Sequence, residues 1–219
     1  MARDMGFINT AGPAKHQAVA LMVSADLSVF YKCTMDAFQD TMYAHAQRQF
    51  YRDCVILGTV DFIFGNAAVV FQKCEILPRR PMKGQQNTIT AQGRKDPNQN
   101  TGISIHNCTI KPLDNLTDIQ TFLGRPWKDF STTVIMKSFM DKFINPKGWL
   151  PWTGDTAPDT IFYAEYLNSG PGASTKNRVK WQGLKTSLTK KEANKFTVKP
   201  FIDGNNWLPA TKVPFNSDF

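Results

Sequence analysis

A six-residue frame returns five times along the chain: a large apolar residue, two mostly polar ones, a small residue, and an aliphatic two places further on. It stands at Phe30 to Met35, Tyr51 to Ile56, Phe71 to Ile76, Ile105 to Ile110 and, more weakly, Ile135 to Met140. The small residues are Cys33, Cys54, Cys74, Cys108 and Ser138, separated by 21, 20, 34 and 30 positions. A unit of about twenty residues is too short for helical repeats, which need roughly 33 or more. The frames are rich in Val, Ile, Phe, Tyr, Thr and Cys, which favour strands. Apolar residues alternate along each frame (Val69 with Phe71, Ile103 with Ile105), and then two polar residues break the phase. That pattern predicts a strand turning a corner between two sheets of one coil. The expected fold is all-β: a right-handed parallel β-helix, one solenoid domain over residues 1–219.

A repeat also says which distant residues become neighbours. Seven positions after the small residue, the first two frames reach Asp40 and Asp61, so the two carboxylates should lie side by side on consecutive coils. Two close carboxylates in an aromatic setting do not both ionise easily; one holds its proton near neutrality while the other stays anionic. Such a pair can divide into general acid and base or nucleophile. The blander reading, that both are turn-forming aspartates of a solenoid, stays open on spacing alone.

The chain carries a formal net charge of +8, much of it between Lys176 and Lys199, which favours polyanionic partners. No zinc-finger spacing, phosphate-binding Gly loop or RNA-binding signature accompanies it, so an acidic polysaccharide is favoured over nucleic acid. No stretch is apolar for long enough to span a bilayer. The four cysteines occur singly, without C-x-x-C or Cys/His clusters, so no metal site is expected. On adjacent coils their Cα atoms would be roughly 4.8 Å apart, within disulfide reach, making Cys33–Cys54 and Cys74–Cys108 candidate bridges. A ladder of buried thiols is the alternative. Residues 79–97 and 111–120 are polar and rich in turn formers, and are expected to leave the solenoid as loops beside a groove. After Met140 the frame fades; a short helix is expected over residues 190–195 with Thr189 as its N-cap, in an extension that caps the stack. Arg3 to Asn9 already looks like part of a coil, so preceding coils are expected to be missing.

Several longer blocks resemble those of plant pectin methylesterases: Gly12 to Leu21, Gln39-Asp40-Thr41, Gly58 to Gly65, Asn87 to Arg94, Leu123-Gly124-Arg125-Pro126-Trp127 and Asn168 to Ala173. They occur in that family's order, with nearly its spacing, over essentially the whole chain. The resemblance implies a β-helix that hydrolyses galacturonate methyl esters in pectin, secreted to the plant cell wall. It implies no metal or organic cofactor, a monomer, and a possible proteinaceous inhibitor as partner. By motif, Asp61 is the implied nucleophile and Asp40 the acid that protonates methanol and then activates water. Gln17 and Gln39 are the implied oxyanion donors, and Arg125 the group that holds the nucleophile ionised, where a planar fork suits better than Lys. Trp127 is implied as an aromatic wall of the substrate groove, with Tyr43, Phe64, Trp149 and Trp152 as extensions of it. His16 and His45 form no Ser-His-Asp arrangement; His16 is expected to be scaffold.

At its front the chain departs from the resemblance, because the N-terminal cap, early coils and Gly-x-Tyr-x-Glu block of that family are absent from the sequence. An inactive β-helix that at most binds pectate is therefore the alternative, separable by methanol release. A pectin-depolymerising enzyme on a similar fold is a third reading. A lyase would want a cluster of acidic oxygen ligands, which the sequence does not suggest. A hydrolase using Asp40 and Asp61 would yield new reducing ends instead of methanol.

Overall fold

The computed structural model describes residues 1–219, and every strand pair in it is parallel. One coil after another adds a strand to each of three sheets, making a parallel β-helix. The eight-stranded sheet stacks Ala2–Arg3, Ser28–Tyr31, Arg48–Arg52, Ala68–Gln72, Gly102–His106, Thr132–Met136, Phe162–Tyr166 and Leu184–Lys185. The six-stranded sheet holds Gly6–Ile8, Thr34–Asp36, Val55–Gly58, Glu75–Pro78, Thr109–Ile110 and Phe139–Met140. The third holds Leu21–Val23, Met42–Ala44, Ile63–Gly65, Asn87–Gln92 and Thr121–Gly124.

The repeated frame is the corner between the first two sheets. Phe30, Tyr51, Phe71, Ile105 and Ile135 are register partners in one sheet. Met35, Ile56, Ile76, Ile110 and Met140 are partners in the next. Between them, the residue before each small one is left-handed: Lys32, Asp53, Lys73, Asn107 and Lys137 have φ between 50° and 60°. Each such residue costs roughly 1–2 kcal/mol of backbone strain. The corner is tolerated because the ladder is not interrupted there; Lys32 N–H bonds Arg52 O at 3.0 Å and Val55 N–H bonds Cys33 O at 2.9 Å. The next side chain then points into the tube, where only a small group fits, hence Cys, Cys, Cys, Cys and Ser. Inside, the rings of Phe30, Tyr51 and Phe71 stack with centroids 4.8 Å apart at each step. Such pairs contribute about 0.5–1.5 kcal/mol beyond their buried area.

Three expectations need correction. All four cysteines are free, buried thiols, so neither Cys33–Cys54 nor Cys74–Cys108 is a bridge. Backbone N–H groups of Cys33 and Cys74 instead point at the sulfurs of Cys54 and Cys108, at 3.4 and 3.3 Å. Within residues 79–97, Asn87–Gln92 is a fully buried strand of the third sheet, not loop. Its polar side chains disguised it; inside the coil Thr90 Oγ1 donates to Leu123 O and Asn87 Nδ2 to Arg79 O, both at 2.9 Å, while Asn87 Oδ1 is left without a partner. The C-terminal extension does only part of the capping, through Leu184–Lys185 on the last long strand. Helix α1 (Lys190–Asn194) forms with Thr189 as the expected N-cap, and Glu192 completes a capping box with it. Helices α2 (Val198–Ile202) and α3 (Gly204–Trp207) then run back along the outside of the eight-stranded sheet. There Val198, Phe201, Ile202 and Leu208 cover Val29, Phe50 and Val70, whose outward apolar side chains need that cover. No helix is long and apolar enough to cross a membrane.

Candidate active site

A second ladder of left-handed residues builds the site. Asp40 and Asp61 have φ of 62° and 52°, each just ahead of a strand of the third sheet. Met42 pairs with Ile63 in that sheet, so Asp40 stands at the register of Asp61 on the neighbouring coil. Backbone hydrogen bonds carry this register through the turn, with Asp40 N–H to Val60 O at 3.0 Å. One residue earlier, Gln39 pairs with Gln17 of the preceding coil in an isolated parallel bridge. The turn thus aims Gln17, Gln39, Asp40 and Asp61 into one cleft of about 260 Å³, completed by Phe64, Ala91, Arg125, Trp127 and Trp152. A neighbouring cavity of about 370 Å³ shares Gln17, Gln39 and Arg125 and continues past His16, Gln85 and Gln86.

The two carboxylates have opposite surroundings. Asp61 is 6% exposed and takes three donors. Arg125 closes a bidentate fork on it, Nε to Oδ1 at 2.9 Å and Nη2 to Oδ2 at 2.7 Å, and Thr88 Oγ1 donates to Oδ1 at 2.6 Å. Asp40 is half-buried, and its carboxyl has neither a hydrogen-bond donor nor an ion-pair partner in the protein. Burial first, and the charge of Asp61 second, push its pKa up to about 7, against the opposing pull of Arg125. One member of the pair is therefore held by three donors, and the other is built to keep a proton. The side-chain amides of Gln17 and Gln39 have no protein partner and face the cleft, free to donate to an oxygen placed there.

The aromatic expectations divide. Trp127 lines the cleft and meets Phe64 edge-on, with centroids 6.1 Å apart. Trp152 lines it too, and Arg125 lies over its ring. Tyr43 does not itself line the cleft; it is half-buried and stacks on its register partner Phe64, with centroids 4.4 Å apart. Trp149 is overturned as a groove residue. It is 1% exposed, packs on Tyr163 at 4.4 Å and donates its indole N–H to Glu165 at 3.1 Å. An aromatic followed by Leu-Pro-Trp looks alike whether it faces in or out, and only the chain path decides. His16 is exposed at the rim and His45 bonds Ser24, so neither joins the carboxylates. Thr88 is the functional contact that sequence reasoning passed over, although it lies inside the recognised Asn87 to Arg94 block. No group of three or more His, Cys, Asp or Glu side chains converges anywhere to suit a metal ion.

Comparison with known proteins gives a consistent picture. A family model described as "Pectinesterase" matches residues 1–205. The putative pectinesterase/pectinesterase inhibitor 24 of Arabidopsis thaliana is 78% identical over 99% of this chain and 38% of its own length. Pectinesterase 3 of Phaseolus vulgaris is 60% identical, with the same coverages. The structure of pectin methylesterase from carrot superposes with a TM-score of 0.97 at 54% identity, covering 99% of this chain and 69% of that one. This chain therefore spans about 38% of the length of these two curated relatives.

Proposed function

Because the chain belongs to the pectinesterase family, we propose that its aspartate cleft hydrolyses the methyl esters of pectin galacturonate, yielding methanol and a free carboxylate. The observation that carries the reading is the contrast between Asp61, under three donors, and Asp40, without donors and with a pKa pushed up to about 7.

In the first half-reaction a carboxylate oxygen of Asp61 attacks the ester carbonyl carbon. The carbonyl oxygen becomes an oxyanion, stabilised by N–H donors from Gln17 and Gln39. Because these amides are neutral, they do so without competing with Arg125 for Asp61. As the intermediate collapses, the bond to the methoxy oxygen breaks and Asp40 delivers its proton to that oxygen, releasing methanol. An acyl-Asp61 anhydride remains. Asp40, now a carboxylate, takes a proton from water as the water oxygen attacks the acyl carbon. Collapse expels the Asp61 carboxylate, which returns to the Arg125 fork, and leaves Asp40 protonated again. One ester and one water have become one acid and one methanol. Trp127 and Trp152 offer flat faces on which a sugar ring can pack.

The net charge of +8 suits a substrate that grows more anionic with each ester removed, and a cell-wall location follows from that substrate. The paired names of the Arabidopsis relative make a proteinaceous inhibitor a reasonable partner. Methanol release from methyl-esterified pectin by the purified chain, set beside Asp61→Asn, tests the proposal. Turnover in the parent that vanishes in the variant supports it. Retention on a pectate column with no methanol from either would instead favour a binding module.

A further inference from the structure

We propose that Thr88 is a positioning residue that leaves Oδ2 of Asp61 as the attacking oxygen; the inference rests on the reading of Asp61 as nucleophile. The Thr88 hydroxyl makes two hydrogen bonds to one residue. It accepts the backbone N–H of Asp61 at 2.9 Å and donates to Oδ1 of the same side chain at 2.6 Å. The hydroxyl has a single proton, and with Asp61 N–H aimed at its oxygen that proton is directed to Oδ1. The small ring so closed ties the left-handed backbone of Asp61 to the orientation of its carboxylate. Asp40, at the matching place and with the same left-handed backbone, has no such hydroxyl clamp.

Counting donors then separates the two oxygens. A carboxylate oxygen offers about two in-plane lone-pair directions. Oδ1 has both occupied, by Thr88 Oγ1 and by Arg125 Nε at 2.9 Å. Oδ2 has one, taken by Arg125 Nη2 at 2.7 Å, and so keeps a lone pair for a carbonyl carbon. Thr88 is 1% exposed, so water does not compete for its hydroxyl. The arrangement is not a habit of threonines on this strand, because Thr90, two residues on, spends its proton on the Leu123 carbonyl. Arg125 alone bonds both oxygens and cannot tell them apart; Thr88 breaks that symmetry.

The test compares Thr88→Val, which keeps the shape and loses the hydroxyl, with Thr88→Ser, which keeps the hydroxyl, in steady-state methanol release from methylated pectin. Thr88→Val is expected to lower kcat by about 10²-fold, the size of effect that a misplaced reacting atom produces, with KM within about 2-fold of the parent. Thr88→Ser is expected to retain most of kcat. Parent-like kcat in folded Thr88→Val overturns the proposal, as does equal damage in the serine variant. Asp61→Asn, assayed alongside, separates the two layers: if it still turns over, the nucleophile reading fails first. A readout independent of activity is the crystal structure of Thr88→Val. A rotated Asp61 carboxylate supports the clamp, and one left in its original orientation overturns it.

Discussion

Arg125 is held from two directions: its fork closes on Asp61 at 2.9 and 2.7 Å, and its guanidinium carbon lies 4.3 Å from the centroid of the Trp152 ring. Trp152 is 38% exposed, so the ring that steadies the guanidinium is also open to a ligand. The fork needs a planar donor pair, and the stacking needs a flat cation; lysine supplies neither. Arg125→Lys should therefore lower kcat/KM for methanol release by roughly 10²–10³-fold, comparable with loss of a transition-state donor. Trp152→Ala, which removes the stacking and leaves the fork, should cost about 10-fold or less, in line with roughly 1 kcal/mol for a partly exposed cation–π contact. Equal losses in both variants would mean that the ring, not the fork, orders the guanidinium.

Asp40 makes activity and stability respond to pH over the same window. The acid role proposed for Asp40 requires the protonated form, so kcat/KM for methanol release should fall on the alkaline side with an apparent pKa near 7, a value that belongs to the coupled pair. For stability, the folded-state pKa lies above the ordinary value of 3.8, so the native chain binds more protons than the unfolded chain between the two. Stability from this group is therefore unaffected below about pH 4, falls as pH rises towards 7, and levels off above. Asp40→Asn abolishes that loss, and asparagine tolerates the left-handed backbone. Its advantage over the parent in unfolding free energy, read from denaturant titration, should grow from pH 4 to 7 and reach on the order of 1–2 kcal/mol after allowance for solvent screening. An advantage that is constant with pH would remove Asp40 as the source.

The stacked thiols give a simple chemical prediction. Cys54, chiefly through its hydrogen bond with Cys74, and Cys74, chiefly through burial, titrate well above the ordinary thiol range; burial also raises Cys33. A thiol reagent acting on the thiolate should find none of the four sites in the native protein near neutral pH and all four in guanidinium without reductant. Two or fewer reactive groups in denaturant would show that bridges form between the coils after all.

Most of the architecture was written in the five frames, because a solenoid repeats the same local problem and the same residues solve it. Phe30, Tyr51 and Phe71 announce their stacking by recurring, and Asp40 and Asp61 announce their adjacency by the same count. What escaped had no periodic signature. The strand Asn87–Gln92 looked like loop because polar side chains can line a strand when neighbouring coils satisfy them, as Leu123 O does for Thr90. Trp149 and Trp152 sit three residues apart in a segment without repeat, and their opposite fates depend on the buried Glu165, sixteen residues beyond Trp149. Thr88 was invisible for a related reason: its value lies in both ends of one hydroxyl meeting Asp61, a relationship that pairwise spacing does not reveal.

The same Glu165 supports the last prediction, which concerns the end of the stack behind the cleft. Arg178 forks onto Glu165 at 2.8 and 2.9 Å with both side chains 2% exposed, and Trp149 adds a third hydrogen bond. Gly148, at φ 74°, lets Arg178 pass, since a Cβ there would lie 2.3 Å from the arginine Cδ. The segment so anchored pairs with the strand that ends beside Arg125, through Leu123 N–H to Gly148 O at 2.7 Å and Leu150 N–H to Gly124 O at 3.0 Å. Removing one partner leaves a buried charge uncompensated, whereas removing both leaves an apolar gap that can repack. Arg178→Met should thus destabilise the chain by roughly 3–5 kcal/mol in denaturant titration. Adding Glu165→Leu to that variant should recover a large part of the loss, because the charge that needed the arginine is gone. A double variant as unstable as Arg178→Met alone would mean that the arginine acts through its other bonds, to the carbonyls of Pro146 and Gly172, and not through the ion pair.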